Sequence, residues 1–88
     1  MVNPSVKVVE SNASKETAPK IANPLTKGIK FQPNGYNKVF NENDEIWQDG
    51  TFKNGMLWEG KVYQYDKDGI LLKVKVFKDG VYHSDGQL

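Results

Sequence analysis

The chain predicts an all-β fold: an open antiparallel meander of tandem β-hairpins, in two units of about 25 residues, preceded by an extended N-terminal arm. Three observations carry that prediction. Turn signals return at short intervals from Gly35 onward, the residues between them alternate with period two, and the segment repeats itself after 25 residues.

Each element can be justified in order. Tyr36 to Phe40 reads as a short strand, and Asn41 to Asp44 as a turn. Glu45 to Phe52 is a second strand that offers Ile46, with Trp47 beside it, to the core. Lys53-Asn54-Gly55 is a hairpin turn, because Asn-Gly supplies two residues that tolerate the positive φ of a type I′ turn. Lys61 to Tyr65 is a third strand, with Val62 on one face and Lys61, Tyr63 and Tyr65 on the other. Asp66 to Gly69 turns the chain. Ile70 to Phe77 is the longest strand, and Lys73-Val74-Lys75-Val76 alternates cleanly within it. Lys78-Asp79-Gly80 turns again, and Val81 to His83 closes the series. The residues that shape these turns are Asn54, Gly55, Asp68, Gly69, Asp79 and Gly80. No segment has the spacing of an amphipathic helix.

Composition divides the chain near residue 30, into an arm (1–30) and a hairpin module (31–88). All four prolines lie in the first 33 residues, and all ten aromatics stand at Phe31 or beyond. The arm is rich in Ser, Asn, Lys, Ala and Pro, and cannot bury enough apolar surface to offset its own ordering entropy. Its only anchors are Val6 to Val9 and Ile21 to Leu25. Alone, it should be extended and mobile.

Shifted by 25 residues, Gly35 falls on Gly60, Phe40 on Tyr65 and Asn43 on Asp68, and Phe52-Lys53-Asn54-Gly55 falls on Phe77-Lys78-Asp79-Gly80. Aromatics meet aromatics, and turns meet turns of the same chemistry. A fixed period of this length marks stacked units that cannot bury an apolar face singly. Two runs also carry a likeness. One is Tyr63-x-Tyr65-Asp66-x-Asp68-Gly69 followed, after an alternating stretch, by Phe77-Lys78-Asp79-Gly80. The other is Asp49-Gly50-Thr51-Phe52-Lys53-Asn54-Gly55-x-Leu57-Trp58-x-Gly60-Lys61. Both resemble the bacterial MORN-variant repeat of the YwqK-type antitoxins, over residues 35 to about 86. The resemblance implies a chain of β-hairpins used as a scaffold or contact surface. It implies no catalytic residues.

Charge and composition exclude several function classes. The arm carries five Lys and two Glu, the module seven Lys and nine acids, so neither half has the basic field of a nucleic-acid binder. All twelve cations are Lys; the absence of Arg removes the side chain best suited to bidentate phosphate and base recognition. Without Cys there is no disulfide and no Cys-based metal site. No stretch approaches the roughly 18 apolar residues of a membrane span. Lys7 interrupts the one apolar run near the start, so no signal peptide is expected, and the chain reads as cytoplasmic at synthesis. Asn12-Ala13-Ser14 has the pattern of a glycosylation acceptor, which would be idle without export.

Candidate chemistry is sparse. His83, the single histidine, stands beside Ser84 and Asp85, but neighbours on a strand point to opposite faces, which argues against a relay. Asp66-Lys67-Asp68-Gly69 opens like a calcium loop, yet the Glu expected about twelve positions on is replaced by Phe77. Asp44, Glu45 and Asp49 lack a defined pocket or partner cluster and read as a solvated rim. No catalytic, metal or cofactor-binding residue is assigned. The aromatics present a real alternative: with few aliphatics available they are needed for the core, while any left exposed form a contact patch. Trp47, Trp58, Tyr63, Tyr65 and Tyr82 are the candidate contact residues.

A module this small, with neither disulfide nor metal, has a core worth only about 3–5 kcal/mol. An open meander also leaves two unpaired edges, and pairing an edge with another subunit would answer both problems. The expected function is therefore that of a non-enzymatic structural or accessory subunit. Its module and arm would dock onto a larger or homo-oligomeric protein assembly, such as a phage virion or a bacterial surface machine. The family resemblance implies an alternative, an antitoxin-like protein that neutralises one protein partner. A third reading is a nucleic-acid or glycan binding module built on exposed aromatics and Lys.

Overall fold

A computed structural model describes residues 15–88 of the chain. The anchor Val6 to Val9 and the tripeptide Asn12-Ala13-Ser14 lie outside the described residues. Five strands, β1 (Tyr36–Phe40), β2 (Ile46–Lys53), β3 (Met56–Tyr65), β4 (Leu71–Lys78) and β5 (Val81–Asp85), form one antiparallel sheet in the order β1-β2-β3-β4-β5. The fold is the open all-β meander that the turn spacing predicts.

The internal repeat is reproduced in backbone geometry. The β1–β2 register slips at Val39/Phe40 and the β3–β4 register at Gln64/Tyr65, 25 residues apart. The β2–β3 slip at Thr51/Phe52 and the β4–β5 slip at Val76/Phe77 are related in the same way. Asn41 Oδ1 accepts the N–H groups of Asn43 and Glu45, each at 2.9 Å. Asp66 Oδ1 accepts those of Asp68 and Ile70 at 2.8 and 2.9 Å. Both turns end on a left-handed residue, Asp44 in one and Gly69 in the other. The tight turns also match. Asn54-Gly55 has φ of 52° and 82°, and Asp79-Gly80 has 54° and 81°, two positive values in succession as a type I′ turn requires.

Two predictions need correction. The longest strand is β3, with ten residues, and not β4, with eight. β3 begins at Met56, directly after the Asn54-Gly55 turn, and not at Lys61. A two-residue turn leaves no slack, so pairing resumes at once, with Lys53 opposite Met56. Gly60, in the middle of the strand, lies opposite Gly50. A Cβ added to either glycine would stand 2.7 Å from the other's Cα, so the pair allows an approach no other residue permits.

One face of the sheet is apolar. Val39, Phe52, Leu57, Val62 and Phe77 are buried there, and Gln48 shares the cross-strand row of Val39 and Val62. The other face carries the row Lys38, Asp49, Lys61, Val76 and Ser84. A single sheet must cover its apolar face, and here the described part of the arm does so. Ala18 is buried in the core cluster, with Ile21 and Phe31 packed against it. Pro19 C=O accepts the Gln48 side-chain amide at 3.1 Å, and the Phe31 ring meets Phe52 edge-on, centroids 5.3 Å apart. The compositional break near residue 30 is therefore not a packing boundary, since residues on both sides build one core. Ala18 gave no signal in the sequence because a lone Ala in a polar stretch has no periodicity to reveal it.

After this covering segment, the strap of residues 16–25, Thr26 to Ile29 turn the chain, with Lys27 and Gly28 at positive φ. Asn37 then fastens the return. Its side chain accepts the Gln32 N–H and donates to the Gln32 C=O, both at 2.7 Å.

Candidate functional site: an open sheet edge

A meander has two edges, and the strap reaches both. At β5, Tyr82 N–H donates to Glu16 C=O at 2.8 Å, and the Glu16 carboxylate pairs with Lys75 at 2.7 Å. At β1, Phe40 N–H donates to Leu25 C=O at 2.9 Å. Residues 16 to 25 thus cross the apolar face from one edge strand to the other.

The clamp on β1 is confined to one end. Phe52 N–H donates to Gly35 C=O at 2.8 Å, so the backbone groups of Gly35, Asn37 and Val39 point toward β2. Those of Tyr36 and Lys38 then point outward, as the Phe40 N–H does. Among the described residues, the N–H and C=O of Tyr36 and Lys38 have no backbone partner. This stretch of edge is a template for an added strand.

The surroundings of that template are apolar. Ile29, Tyr36 and Leu25 are 74%, 60% and 44% exposed. A groove of about 370 Å³ runs between the Thr26–Ile29 turn and β1, lined by Lys27, Ile29, Tyr36, Lys38 and Phe40. Beyond the Leu25–Phe40 bridge lies a second groove of about 680 Å³, with Ile21, Leu25, Phe40 and Trp47 on its apolar side and Glu42 among its polar residues. Lys27 sits between them, its ammonium 4.2 Å from the Phe40 ring centroid and 2.8 Å from Asp44.

Electrostatics near the edge centre on Asp49, which accepts the Tyr36 hydroxyl at 2.6 Å. That hydrogen bond holds the Tyr36 phenol above its ordinary value, as donation to a carboxylate favours the neutral form. Burial, then the Asp49 charge, raises Tyr63 as well. Lys38 stands across from Asp49 in the register, yet forms no ion pair among the described residues.

Of the five aromatics named as candidate contact residues, Trp47, Tyr63 and Tyr65 line one groove of about 450 Å³, while Trp58 and Tyr82 stand outside it. Trp47 is half-buried at one end of the sheet, where it lines the larger groove. Tyr63 lies near Asp49, and Tyr65 spends its hydroxyl on Ile46 C=O at 2.6 Å. Trp58 lies against Gly80 beneath the Lys53 ammonium, which is 4.6 Å from its ring centroid. Tyr82 stacks edge-on to Phe77 and donates to Asp85 at 2.8 Å. Of the residues that border the open edge, Leu25 belongs to an expected anchor, while Ile29, Tyr36, Lys38 and Phe40 were not singled out as contact residues in the sequence. The available signal was positional: the first strand of a meander must be an edge, and Leu25 and Ile29 are apolar residues in a polar stretch.

The remaining candidates are also placed. His83 Nδ1 and Ser84 Oγ lie 2.9 Å apart, so the argument that strand neighbours cannot meet does not hold for this pair. Asp85, the third member of that reading, is bonded to Tyr82. Asp44 pairs with Lys27, Glu45 accepts from Asn41 at 2.8 Å, and Asp49 accepts from Tyr36, so the three acids have separate partners. Asp66 serves its own turn. No group of three or more candidate metal-ligating side chains gathers among the described residues. No helix among them is long and apolar enough to cross a membrane.

Comparison with known proteins returned no matching family model, no matching curated protein and no matching solved structure.

Proposed function

We propose that this chain is a non-enzymatic structural or accessory subunit that docks, by its β-module and N-terminal arm, onto a larger protein assembly. One observation carries the reading. The strap makes one backbone hydrogen bond to each edge strand, at Tyr82 of β5 and at Phe40 of β1, and among the described residues Tyr36 and Lys38 have no backbone partner on an edge bordered by exposed Leu25 and Ile29. Proteins normally blunt such edges, and an apolar border makes this one suited to contact. A virion or a bacterial surface machine is a setting in which such a subunit would serve. The test is sedimentation of host extract with detection of the full chain. Co-migration with one large assembly is expected. A chain found only as a free monomer would sink the reading.

The repeated hairpin geometry supports a second reading, a MORN-variant protein that binds and neutralises one partner. In that case co-expression with a toxic neighbouring gene product would restore growth, and the chain would co-purify with that product in fixed stoichiometry.

A further inference from the structure

We infer that the open edge of β1 accepts an extended peptide segment of a partner protein, and that this segment places a carboxylate opposite Lys38. The inference rests on the docking reading above and gives it a chemistry. Tyr36 and Lys38 present outward N–H and C=O groups, so an added strand gains main-chain hydrogen bonds with no rearrangement of β1. Both side chains lie on the same face, two residues apart. Residues of the added strand on that face therefore meet a tyrosine ring and an ammonium group. Lys38 is exposed, and Asp49, which stands opposite it in the register, stands opposite Lys61 as well, so this row holds two ammonium groups and one carboxylate. A carboxylate across the strand pair completes the charge that the sheet leaves open. The groove of about 370 Å³ beside β1, with Ile29 on its rim, receives an apolar side chain of the incoming segment.

The same charges disfavour a second copy of this chain. Two β1 strands paired about a two-fold axis would set Lys38 beside Tyr36 of the other copy, with the two Lys38 ammonium groups diagonal to each other and no acid between them. The bridge from Leu25 to Phe40 also ends the free edge after Lys38, which limits any paired strand to a short one.

The test uses the full chain and synthetic seven-residue peptides that alternate Val and Thr around one central Glu, or around one central Lys. Amide shifts are followed by NMR. The expected result is movement confined to Tyr36–Phe40 and the Thr26–Ile29 turn. The Glu peptide should bind about threefold or more tighter at low salt, with the gap closing near ~0.5 M salt. Lys38→Glu should invert the preference. Lys38→Pro should abolish binding, because it removes an outward N–H without touching the β1–β2 ladder. If that variant unfolds, the inversion by Lys38→Glu decides alone. Equal binding of the two peptides, shifts elsewhere, no binding, or a β1-edge dimer in sedimentation would each overturn the inference. Co-migration of the chain with an assembly in host extract would then still leave the docking reading standing.

Discussion

Gly50 and Gly60 face each other across β2 and β3 so closely that a methyl group on either would stand 2.7 Å from the other's Cα. The obstacle is backbone, which cannot swing aside as a side chain can. Gly50→Ala should therefore destabilise the chain by about 2 kcal/mol or more, as overpacking does in a rigid site. Urea unfolding would show it as a lower midpoint. A wild-type midpoint for Gly50→Ala would mean that the two strands lie further apart than described.

The paired turns make a matched test of the repeat. Asn41 and Asp66 each use one side-chain oxygen to hold two backbone N–H groups. Alanine at either position removes both bonds, at a cost of about 1 kcal/mol each. The Asp66 bonds are assisted by charge, so Asp66→Ala should cost somewhat more per bond. If only one of the two variants were destabilised, the turns would be equivalent in sequence but not in energetics.

The strap should report its own detachment. Ala18 is buried among Val39, Phe52, Leu57, Val62 and Phe77. Ala18→Asp places a carboxylate there without a partner, a change worth about 2–3 kcal/mol against docking. Trypsin should then cut faster after Lys20, which lies within the strap, while sites in β2 to β4 stay resistant. Uniform sensitivity across the chain would show instead that strap and sheet unfold as one unit.

Gln48 behaves differently from a typical buried polar residue. Its amide nitrogen reaches Pro19 C=O, while its Oε1 has no partner among the described residues. Gln48→Met gives up one hydrogen bond and also removes a buried, unsatisfied acceptor. The two effects nearly cancel, so the expected change in stability is under about 1 kcal/mol. A loss of several kcal/mol would imply that Oε1 is satisfied in solution, most simply by water.

What was legible in the sequence follows from the range of the forces involved. Asn54-Gly55, Asp79-Gly80 and the alternation of Lys73 to Val76 are local, and local rules place the turns and most of the strands. The 25-residue repeat transferred directly into matched bulges, because each bulge depends on residues within one hairpin. The strap did not announce itself. Ala18 and Gln48 are 30 residues apart in sequence and carry no shared pattern, so their packing is set by the sheet's need for cover. That a meander leaves open edges was legible in the sequence, but which residues of the edge stay open was not. Whether Tyr36 and Lys38 are paired depends on where Leu25 stops, a matter of tertiary path and not of residue type. The aromatics could be sorted only by the fold, in which the Tyr65 and Tyr82 hydroxyls are both bonded.

The tyrosine–carboxylate pairs give the sheet a signature at alkaline pH. The Tyr36 hydroxyl donates to Asp49 and the Tyr82 hydroxyl to Asp85, and in both cases that bond is the main cause holding the phenol above its ordinary value of 10.0. A group whose pKa is raised on folding contributes stability that is fully present below its unfolded value. That contribution is lost as the pH climbs through the folded value. Stability should therefore be flat with respect to these phenols below about pH 9 and fall beyond pH 10. Absorbance near 295 nm would follow tyrosinate formation directly. Asp49→Asn removes both the strong acceptor and its charge, so the Tyr36 titration should move down toward the ordinary range while that of Tyr82 stays in place. If Asp49→Asn shifted neither phenol, the Tyr36–Asp49 bond would not persist in solution, and the outer face of β1 would be free to rearrange.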